Sequence, residues 1–347
     1  MKIVADRRIP GLEEALLNRG NHSVTTLEGA AISAADVKDA DVLFVRTRTR
    51  CDASLLAGSR VKLIGTATIG TDHIDIGWCR ANGIGVVNAP GCNAPAVMQY
   101  VASTLHAAGF DPAVHTLGVV GKGSIGSLVT ALYRDAGTRV LVCDPPRKDA
   151  GHTDEDYLPL EDLLSRCDTV TLHVPYTVQG SYPTRHLLRG NLPENVRIVV
   201  NASRGGVLDS DIVDASRRFI IDTWPFEEEE PALWTPGRRR ELVSAAFIST
   251  PHIAGYSIEG KTRATEAMLA ALADFEAGIL SEPKNLTSSL RYSLSDVISS
   301  FDPLPLSTAL KDSPSSFESL RSSHLRPEPK PIHNCGRSFC PWHRAPA

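Results

Sequence analysis

The chain has 347 residues, is 42% hydrophobic and carries a formal net charge of −4. This length can hold two domains, or three if one is small. The weakly acidic balance gives no indication of a nucleic-acid surface, and no apolar run has the length of a membrane span. The N-terminus lacks the apolar core of a signal peptide, and the seven scattered cysteines are typical of reduced thiols, so we expect a cytoplasmic protein.

The first part of the chain alternates between apolar runs of strand length and stretches with helical periodicity. The predicted strands lie at residues 2–6, 22–27, 41–46, 61–68 and 84–88, and the predicted helices at 12–19 and 31–39. Alternation of this kind is typical of a parallel sheet with helices on both faces. We therefore expect a first α/β domain over residues 1–92.

A predicted helix at residues 94–108 carries the chain into a second domain, expected over residues 93–255. The strands predicted for this domain lie at residues 117–121, 139–144, 169–173, 197–201, 219–222 and 247–250. An alanine-rich helix at 260–278 then lies within residues 256–280, which we expect to complete the first domain. Beyond them, residues 281–347 are rich in Ser and Pro.

The strand at residues 117–121 ends in the turn Gly121-x-Gly123-x-x-Gly126, and a helical stretch follows. In such a turn the first glycine makes the tight bend, the second admits a pyrophosphate, and the third lets helix and strand pack closely. Asp144 ends the next strand, where a carboxylate accepts hydrogen bonds from a ribose diol and repels a 2′-phosphate. A lone glycine pattern is a weak signal, but with the strand, the helix and Asp144 it predicts an NAD site.

Three later strands end in polar residues, at the edge where an open parallel sheet binds its ligands. Arg204 follows the first, and its planar guanidinium can hold a carboxylate and polarise a carbonyl. Glutamates at 227–230 follow the second, and a carboxylate beside a histidine raises its pKa. His252 follows the third and can exchange a proton with a substrate hydroxyl. Each residue alone could be structural or solvent-exposed, but together they predict alcohol oxidation by hydride transfer.

These motifs resemble those of the D-isomer-specific 2-hydroxyacid dehydrogenase family. The matching segments are residues 45–49, 65–73, 89–94, 121–126, 143–147, 201–205, 222–224 and 250–261. The resemblance implies two Rossmann-like doubly wound parallel-sheet domains of the α/β class, with a partial C-terminal dimerisation appendix and hence a homodimer. It also implies NAD-dependent oxidation of 4-phospho-D-erythronate to (R)-3-hydroxy-2-oxo-4-phosphooxybutanoate, a step of pyridoxal 5′-phosphate (vitamin B6) biosynthesis.

The resemblance further assigns roles to individual residues. Arg204 would bind the substrate carboxylate and carbonyl, and His252 would act as acid and base with Glu227 behind it. The implied substrate contacts are Thr47, Thr66 and Tyr256, to which we add Arg46 and Arg48 because a phosphate needs cationic donors. The implied cofactor contacts are Asp144, Val174, Ala202, Asp222 and Gly255. To these we add Ser203, Arg204 and the glycine-turn residues Gly121, Gly123, Ser124, Ile125 and Gly126.

The acidic run and the segment before it depart from the family pattern. In the family, the partner glutamate lies five residues after the Asp222 position and directly before a proline. In this chain Glu227 meets the first criterion and Glu230 meets the second. We choose Glu227, because distance from the strand end controls reach, and keep Glu230 as the alternative. The connector from Asp209 to Asp222 is shorter than a helix, a turn and a strand require, which threatens the placement of Asp222 and Glu227.

The C-terminal part matches the family only in part, so we expect a partial dimerisation unit over residues 281–347 and a disordered tail at 327–347. His333, Cys335, Cys340 and His343 lack a common zinc-ligand spacing, and we expect no metal. Two alternative functions stay open. One is a dehydrogenase for another D-2-hydroxy acid, such as 3-phosphoglycerate, and the other is a catalytically weak protein that senses NAD.

Overall fold

The computed structural model describes residues 1–20, 22–227, 234–280, 285–287 and 290–334. The chain divides into two compact units. Unit 1 comprises Met1–Ala96, Gly255–Thr287 and Leu325–Glu328, and unit 2 comprises Val97–Ala254, Ser288–His324 and Pro329–Ala347. The roles assigned above to residues 1–92, 93–255, 256–280 and 281–347 stay predictions.

Strands and helices alternate along most of the described chain. The strands are Lys2–Asp6 (β1), Ser23–Leu27 (β2), Val42–Val45 (β3), Leu63–Thr66 (β4), Gly85–Val87 (β5), Thr116–Val120 (β6), Arg139–Cys143 (β7), Thr169–Leu172 (β8), Ile198–Asn201 (β9), Arg218–Ile221 (β10), Ile248–Ser249 (β11), Leu290–Arg291 (β12) and His333–Asn334 (β13). The helices are Leu12–Asn18 (α1), Ala34–Val37 (α2), Ala53–Leu56 (α3), Ile76–Ala81 (α4), Ala94–Ala107 (α5), Ser124–Asp135 (α6), Pro145–Asp149 (α7), Leu160–Arg166 (α8), Pro236–Ala245 (α9), Ile258–Glu276 (α10), Leu294–Ser299 (α11), Leu304–Asp312 (α12) and Phe317–Ser323 (α13).

Unit 1 is organised by a parallel sheet with the strand order β2-β1-β3-β4-β5. Every residue of β3 and β4 is buried, as expected for central strands covered on both faces. Val42 and Phe44 pack on one face, in a cluster with residues of α1 and α10. Leu43 and Val45 pack on the other, with residues of α2, α3 and α4. The order places the ligand-binding switch point at the carboxyl ends of β1 and β3.

A short C-terminal segment belongs to unit 1 through a buried ion pair. The Glu328 side chain is 4% exposed, and both of its carboxylate oxygens lie 2.6 Å from Arg263 Nη2. Arg263 also donates from Nε to the Cys92 carbonyl oxygen at 2.9 Å, and Ser257 donates its hydroxyl to Glu328. Because the Arg263 side chain is 20% exposed and that of Glu328 only 4%, water screens the pair weakly, and each charge is stabilised mainly by the other.

We expect Glu328→Gln to lower the free energy of unfolding by about 3 kcal/mol, because it leaves the Arg263 charge buried without a counter-charge. Urea denaturation would measure this as a lower transition midpoint with an unchanged slope. Glu318→Gln is the matched control, since the Glu318 side chain is 69% exposed and its ion pair contributes little. Equal midpoints for the two variants would contradict the role given to Glu328.

Unit 2 is organised by a six-stranded parallel sheet with the order β11-β10-β9-β8-β6-β7. The order reverses between β6 and β8, so the ligand-binding crevice of this sheet lies at the carboxyl ends of these two strands. With the sheet of unit 1, this confirms the predicted α/β fold with two Rossmann-like parallel sheets.

Strand β10 enters the sheet although the connector before it, residues 202–217, contains only two short 3₁₀ turns. Arg217 fixes the end of this connector. It donates from Nε to the Val196 carbonyl oxygen at 2.9 Å and from Nη2 to the Leu192 carbonyl oxygen at 2.8 Å. The shortened connector therefore leaves β10 paired beside β9.

The C-terminal helices α11 to α13 belong to unit 2. Leu310 of α12 and Phe317 of α13 are buried in the same apolar cluster as Trp224 and Phe226. The dimerisation role predicted for this region stays a proposal. Cys335, Cys340 and His343 lie outside the described residues, as does the side chain of His333. Among the described helices, none is long and apolar enough to cross a lipid bilayer.

Candidate active site

Three adjacent strands of unit 2 carry the predicted catalytic residues just beyond their carboxyl ends. Arg204 follows β9, Glu227 follows β10 and His252 follows β11. Because β9, β10 and β11 are parallel neighbours, their carboxyl ends lie along the same edge of the sheet. This is also the edge at which the glycine turn follows β6.

The backbone of His252 is held in an unusual conformation by Asp222. His252 has a φ of 56°, in the left-handed region that few residues other than glycine adopt. The buried carboxylate of Asp222 accepts hydrogen bonds from the backbone N–H groups of Ile253 and Ala254, at 2.9 and 2.8 Å, and from the Thr250 hydroxyl at 2.6 Å. Asp222 therefore fixes the loop that presents the imidazole.

Glu227 and His252 form a hydrogen-bonded pair. His252 Nδ1 lies 2.8 Å from Glu227 Oε2, while the other carboxylate oxygen accepts from the Trp224 backbone N–H at 2.9 Å. An ionised carboxylate can only accept, so Nδ1 carries a proton and Nε2 of the neutral ring is left as the basic atom. The alternative partner, Glu230, lies outside the described residues.

The charges around the ring set its protonation. Burial lowers the pKa of His252, but the carboxylate of Glu227, with that of Asp222 adding to it, outweighs burial, so the pKa lies above the ordinary histidine value. The His252 side chain remains 27% exposed, whereas that of Glu227 is only 9% exposed. The pair is thus a partly accessible base backed by a buried carboxylate.

Arg204 is half-buried beside a tightly packed backbone. Its Nη1 donates to the Ser203 carbonyl oxygen at 2.9 Å, and its own carbonyl oxygen accepts from the Asn201 side chain at 2.9 Å. A Cβ atom on the next residue, Gly205, would collide with the backbone of Trp224. The turn after β9 can therefore approach the turn after β10 only with glycine at this position. Ala202 and Ser203, two predicted cofactor contacts, are buried in the same turn.

The glycine turn after β6 fits a dinucleotide. Gly121 has a φ of 92°, and a Cβ atom there would collide with the His173 carbonyl and crowd Val174. A Cβ atom on Gly126 would collide with the Gly121 carbonyl oxygen, whereas Gly123 faces open space. No side chain caps the start of α6 at Ser124 and Ile125, so its first N–H groups can receive a pyrophosphate.

Asp144, which follows β7, is tied to the same turn. Its carboxylate accepts from the backbone N–H of Lys122 at 2.7 Å and from that of Arg147 at 3.1 Å. A carboxylate has about four acceptor positions, so two remain for a ribose diol. The Arg147 guanidinium, a nearby cation that could hold a 2′-phosphate, donates to the Tyr157 hydroxyl at 2.9 Å and to Asp154 at 3.4 Å. These contacts fit NAD better than NADP.

The predicted substrate contacts belong to unit 1. Arg46 and Thr47 follow β3, at the switch point of that sheet, and Arg46 donates to the Arg8 carbonyl oxygen at 3.4 Å. Thr66 ends β4 and is buried, and its hydroxyl lies 2.7 Å from that of Thr68 and 3.0 Å from His73 Nε2. Thr47 and Arg48 are exposed, and Gly255 packs against the Asn93 side chain.

Lys261 is a cation of unit 1 to which the sequence assigned no role. Its ammonium lies 5.7 Å from the centre of the Tyr256 ring. Burial lowers the pKa of Lys261, and the positive charge of Arg46 lowers it further. Within the part of the chain that the structure describes, no carboxylate forms an ion pair with this ammonium. Arg46, Tyr256 and Lys261 thus form a cluster with uncompensated positive charge, which we call the unit 1 basic cluster.

A parallel-sheet dinucleotide fold with arginine, glutamate and histidine at one strand edge defines a class of dinucleotide-dependent dehydrogenases. The chain belongs to the D-isomer specific 2-hydroxyacid dehydrogenase family, whose catalytic-domain model matches residues 5–288. The predicted family is therefore confirmed.

Individual relatives have more specific names. The chain is 39% identical over 344 residues to the erythronate-4-phosphate dehydrogenase of Bacteroides fragilis strain YCH46, covering 93% of this chain and 96% of the relative. It is 42% identical over 290 residues to the enzyme of that name from Edwardsiella ictaluri, covering 79% and 74%. The NAD⁺-bound 3-phosphoglycerate dehydrogenase of Entamoeba histolytica is similar in structure, with a TM-score of 0.64 and 25% identity, covering 82% of this chain and 98% of that one.

Proposed function

We propose that the protein oxidises 4-phospho-D-erythronate at C2 to (R)-3-hydroxy-2-oxo-4-phosphooxybutanoate with NAD, a step of vitamin B6 biosynthesis. The observation that carries the reaction type is the 2.8 Å contact between Glu227 and His252, on a loop that Asp222 fixes. The relatives named erythronate-4-phosphate dehydrogenase support the proposed substrate, because they match the chain over nearly its whole length. A protein that only senses NAD would not need this dyad.

Each residue of the unit 2 edge has a defined task in this reaction. Arg204 holds the substrate carboxylate with its planar fork and polarises the C2 oxygen. His252 Nε2 accepts the C2 hydroxyl proton, and Glu227 stabilises the resulting imidazolium through Nδ1. The turn from Gly121 to Gly126 and the carboxylate of Asp144 would hold NAD, which would supply the hydride acceptor.

The unit 1 basic cluster is our candidate for holding the phosphate of the substrate. Arg46 and Lys261 are cations that disfavour each other, and Lys261 also stands in the first turn of α10, where the helix dipole disfavours a positive charge. A phosphate dianion compensates all of these charges at once. The cluster therefore supports a phosphorylated substrate over a simple 2-hydroxy acid.

Purified full-length protein incubated with NAD and 4-phospho-D-erythronate tests the proposal through NADH absorbance. We expect turnover with this substrate, much slower turnover with 3-phosphoglycerate, and still slower turnover with unphosphorylated D-erythronate. If 3-phosphoglycerate is the better substrate, the reaction type stands and the substrate is wrong. If no 2-hydroxy acid is oxidised although NADH binds, the proposed function is wrong.

We expect Lys261→Met to lower kcat/KM for 4-phospho-D-erythronate by about 100-fold, because one charge-assisted phosphate contact is lost while the aliphatic stem is kept. The inhibition constant of inorganic phosphate should rise in parallel. Lys311→Met is the matched control, since burial also lowers the pKa of Lys311 and its ammonium donates to the Phe247 carbonyl oxygen at 3.0 Å. Equal phosphate inhibition of the two variants would contradict a phosphate role for Lys261.

We further propose a homodimer that works in the cytoplasm. The family resemblance of part of residues 281–347 to a dimerisation unit supports the first point. Five buried cysteines with free thiols support the second: Cys51, Cys79, Cys92, Cys143 and Cys167. Sedimentation of the full chain tests the oligomeric state.

A further inference from the structure

A cation from the C-terminal part of the chain reaches the catalytic dyad. Arg321 of α13 places Nη1 3.4 Å from Glu227 Oε2, and this is the same oxygen that lies 2.8 Å from His252 Nδ1. Glu227 is therefore held between a guanidinium and an imidazole. The Arg321 side chain is 23% exposed and the Glu227 side chain 9% exposed, so solvent screens the contact only weakly.

The packing of α13 explains how Arg321 is aimed. Phe317 stands one helical turn before Arg321, so both side chains project from the same face of the helix. The Phe317 ring meets the Phe226 ring edge-on, with centroids 5.8 Å apart. Phe226 directly precedes Glu227. Phe317 packs on Phe226 while Arg321 contacts Glu227, so the packing of the two rings aims the guanidinium at the carboxylate.

We propose that Arg321 is a positioning residue, which orients Glu227 and moderates the negative charge that Glu227 presents to His252. This inference rests on the proposed function, because it gives the dyad a catalytic task. It extends that function by making the C-terminal region a determinant of the pH range in which the enzyme works.

The direction of the effect follows from the charges that face the imidazole. Among the described residues, the carboxylates of Glu227 and Asp222 raise the pKa of His252 and the guanidinium of Arg321 lowers it. Glu318, a mostly exposed carboxylate, lies 3.8 Å from Arg321, and the Arg239 guanidinium lies beside the turn that carries Glu227. Without Arg321, this opposing positive charge is lost and the imidazolium is stabilised. Oxidation needs the neutral imidazole, so activity at low pH would fall.

Arg321→Met, which keeps the aliphatic stem and removes the charge, is the informative variant. We expect the pKa of His252 to rise by about one unit, measured by NMR titration of protein labelled with ¹³C at histidine Cε1. The acid limb of the kcat/KM profile should move to higher pH by the same amount. Arg321→Lys should restore most of both, because it keeps a cation at the end of the side chain.

Arg239→Met is the matched control. The Arg239 guanidinium lies over the Phe226 ring, 4.9 Å from its centre, beside the same turn, but among the described residues it forms no ion pair with Glu227. We expect no movement of the histidine titration in this variant.

An unchanged histidine titration in Arg321→Met, or an equal shift in Arg239→Met, would overturn the inference. The NMR titration needs no substrate, so it separates the two claims. If 4-phospho-D-erythronate is not oxidised but the titration shifts as expected, the link between Arg321 and His252 stands and the proposed substrate is wrong. If oxidation proceeds and the titration does not shift, only the inference about Arg321 is wrong.

Discussion

Replacing His252 by asparagine is expected to lower kcat for 4-phospho-D-erythronate oxidation by about 10³-fold, because no group remains at that point to accept the hydroxyl proton. Asparagine is the suitable replacement, since it tolerates the left-handed backbone that His252 adopts at a φ of 56°. The loop held by Asp222 then keeps its conformation. The loss can be measured from NADH formation at saturating substrate.

The pH dependence of the unaltered enzyme gives a second measurement of the same role. Because the pKa of His252 lies above the ordinary histidine value, oxidation should rise with pH through an acid limb placed above that value. The asparagine variant should lose this limb, while NADH binding followed by fluorescence stays near that of the unaltered protein. A variant that keeps both the rate and the limb would show that another group is the base.

Replacing Arg204 by lysine is expected to lower kcat/KM by about 10²- to 10³-fold, or about 3–4 kcal/mol of transition-state stabilisation. The change keeps the positive charge and removes the planar fork that can hold a carboxylate with two parallel hydrogen bonds. Steady-state kinetics with 4-phospho-D-erythronate measures the loss.

Arg189→Lys is the control for this change, because it makes the same substitution at an exposed arginine to which we assign no role in the site. A loss confined to NADH affinity, with substrate parameters unchanged in Arg204→Lys, would assign Arg204 to the cofactor alone. Loss of kcat/KM with NADH affinity maintained would assign it to the substrate.

The strands were predictable from sequence because buried parallel strands appear as short apolar runs. Each strand of both parallel sheets was predicted, with ends that differ by a few residues from those observed. The observed helix ends also differ from the predicted ones. The helix predicted at 260–278 begins instead at Ile258, because the Ser257 hydroxyl caps it by accepting from the Gly260 N–H at 3.0 Å. The helix predicted at 31–39 is a single turn, Ala34–Val37.

The strand-end residues were predictable because parallel strands bring their carboxyl ends to one edge. The two family criteria, distance from the strand end and a following proline, point to different glutamates, and the sequence does not show where the turn after β10 directs a side chain. The effect of the short connector on the placement of Asp222 and Glu227 could not be predicted from the sequence either. Anchoring by Arg217, through contacts with residues more than twenty positions away, is not visible in a local pattern.

Two candidate site residues, Arg321 and Lys261, had no sequence signal of their own. Arg321 lies 94 positions from Glu227, in a region that the sequence indicates only as similar to a dimerisation unit. Lys261 stands within a matching segment, but a lysine near a helix start usually indicates only a solvated side chain. Its significance comes from Arg46 and Tyr256, which other parts of the chain supply.

The assembly of unit 1 from three separate stretches of chain has a consequence for synthesis on the ribosome. Residues Met1–Ala96 emerge before unit 2, whereas α10 and the segment containing Glu328 emerge after most of unit 2. Until then, the apolar face formed by residues such as Leu12 and Phe44 lacks the α10 side chains that share its cluster. Unit 1 therefore cannot complete its core until most of unit 2 has been translated, and we expect its nascent chain to need protection from aggregation in the meantime.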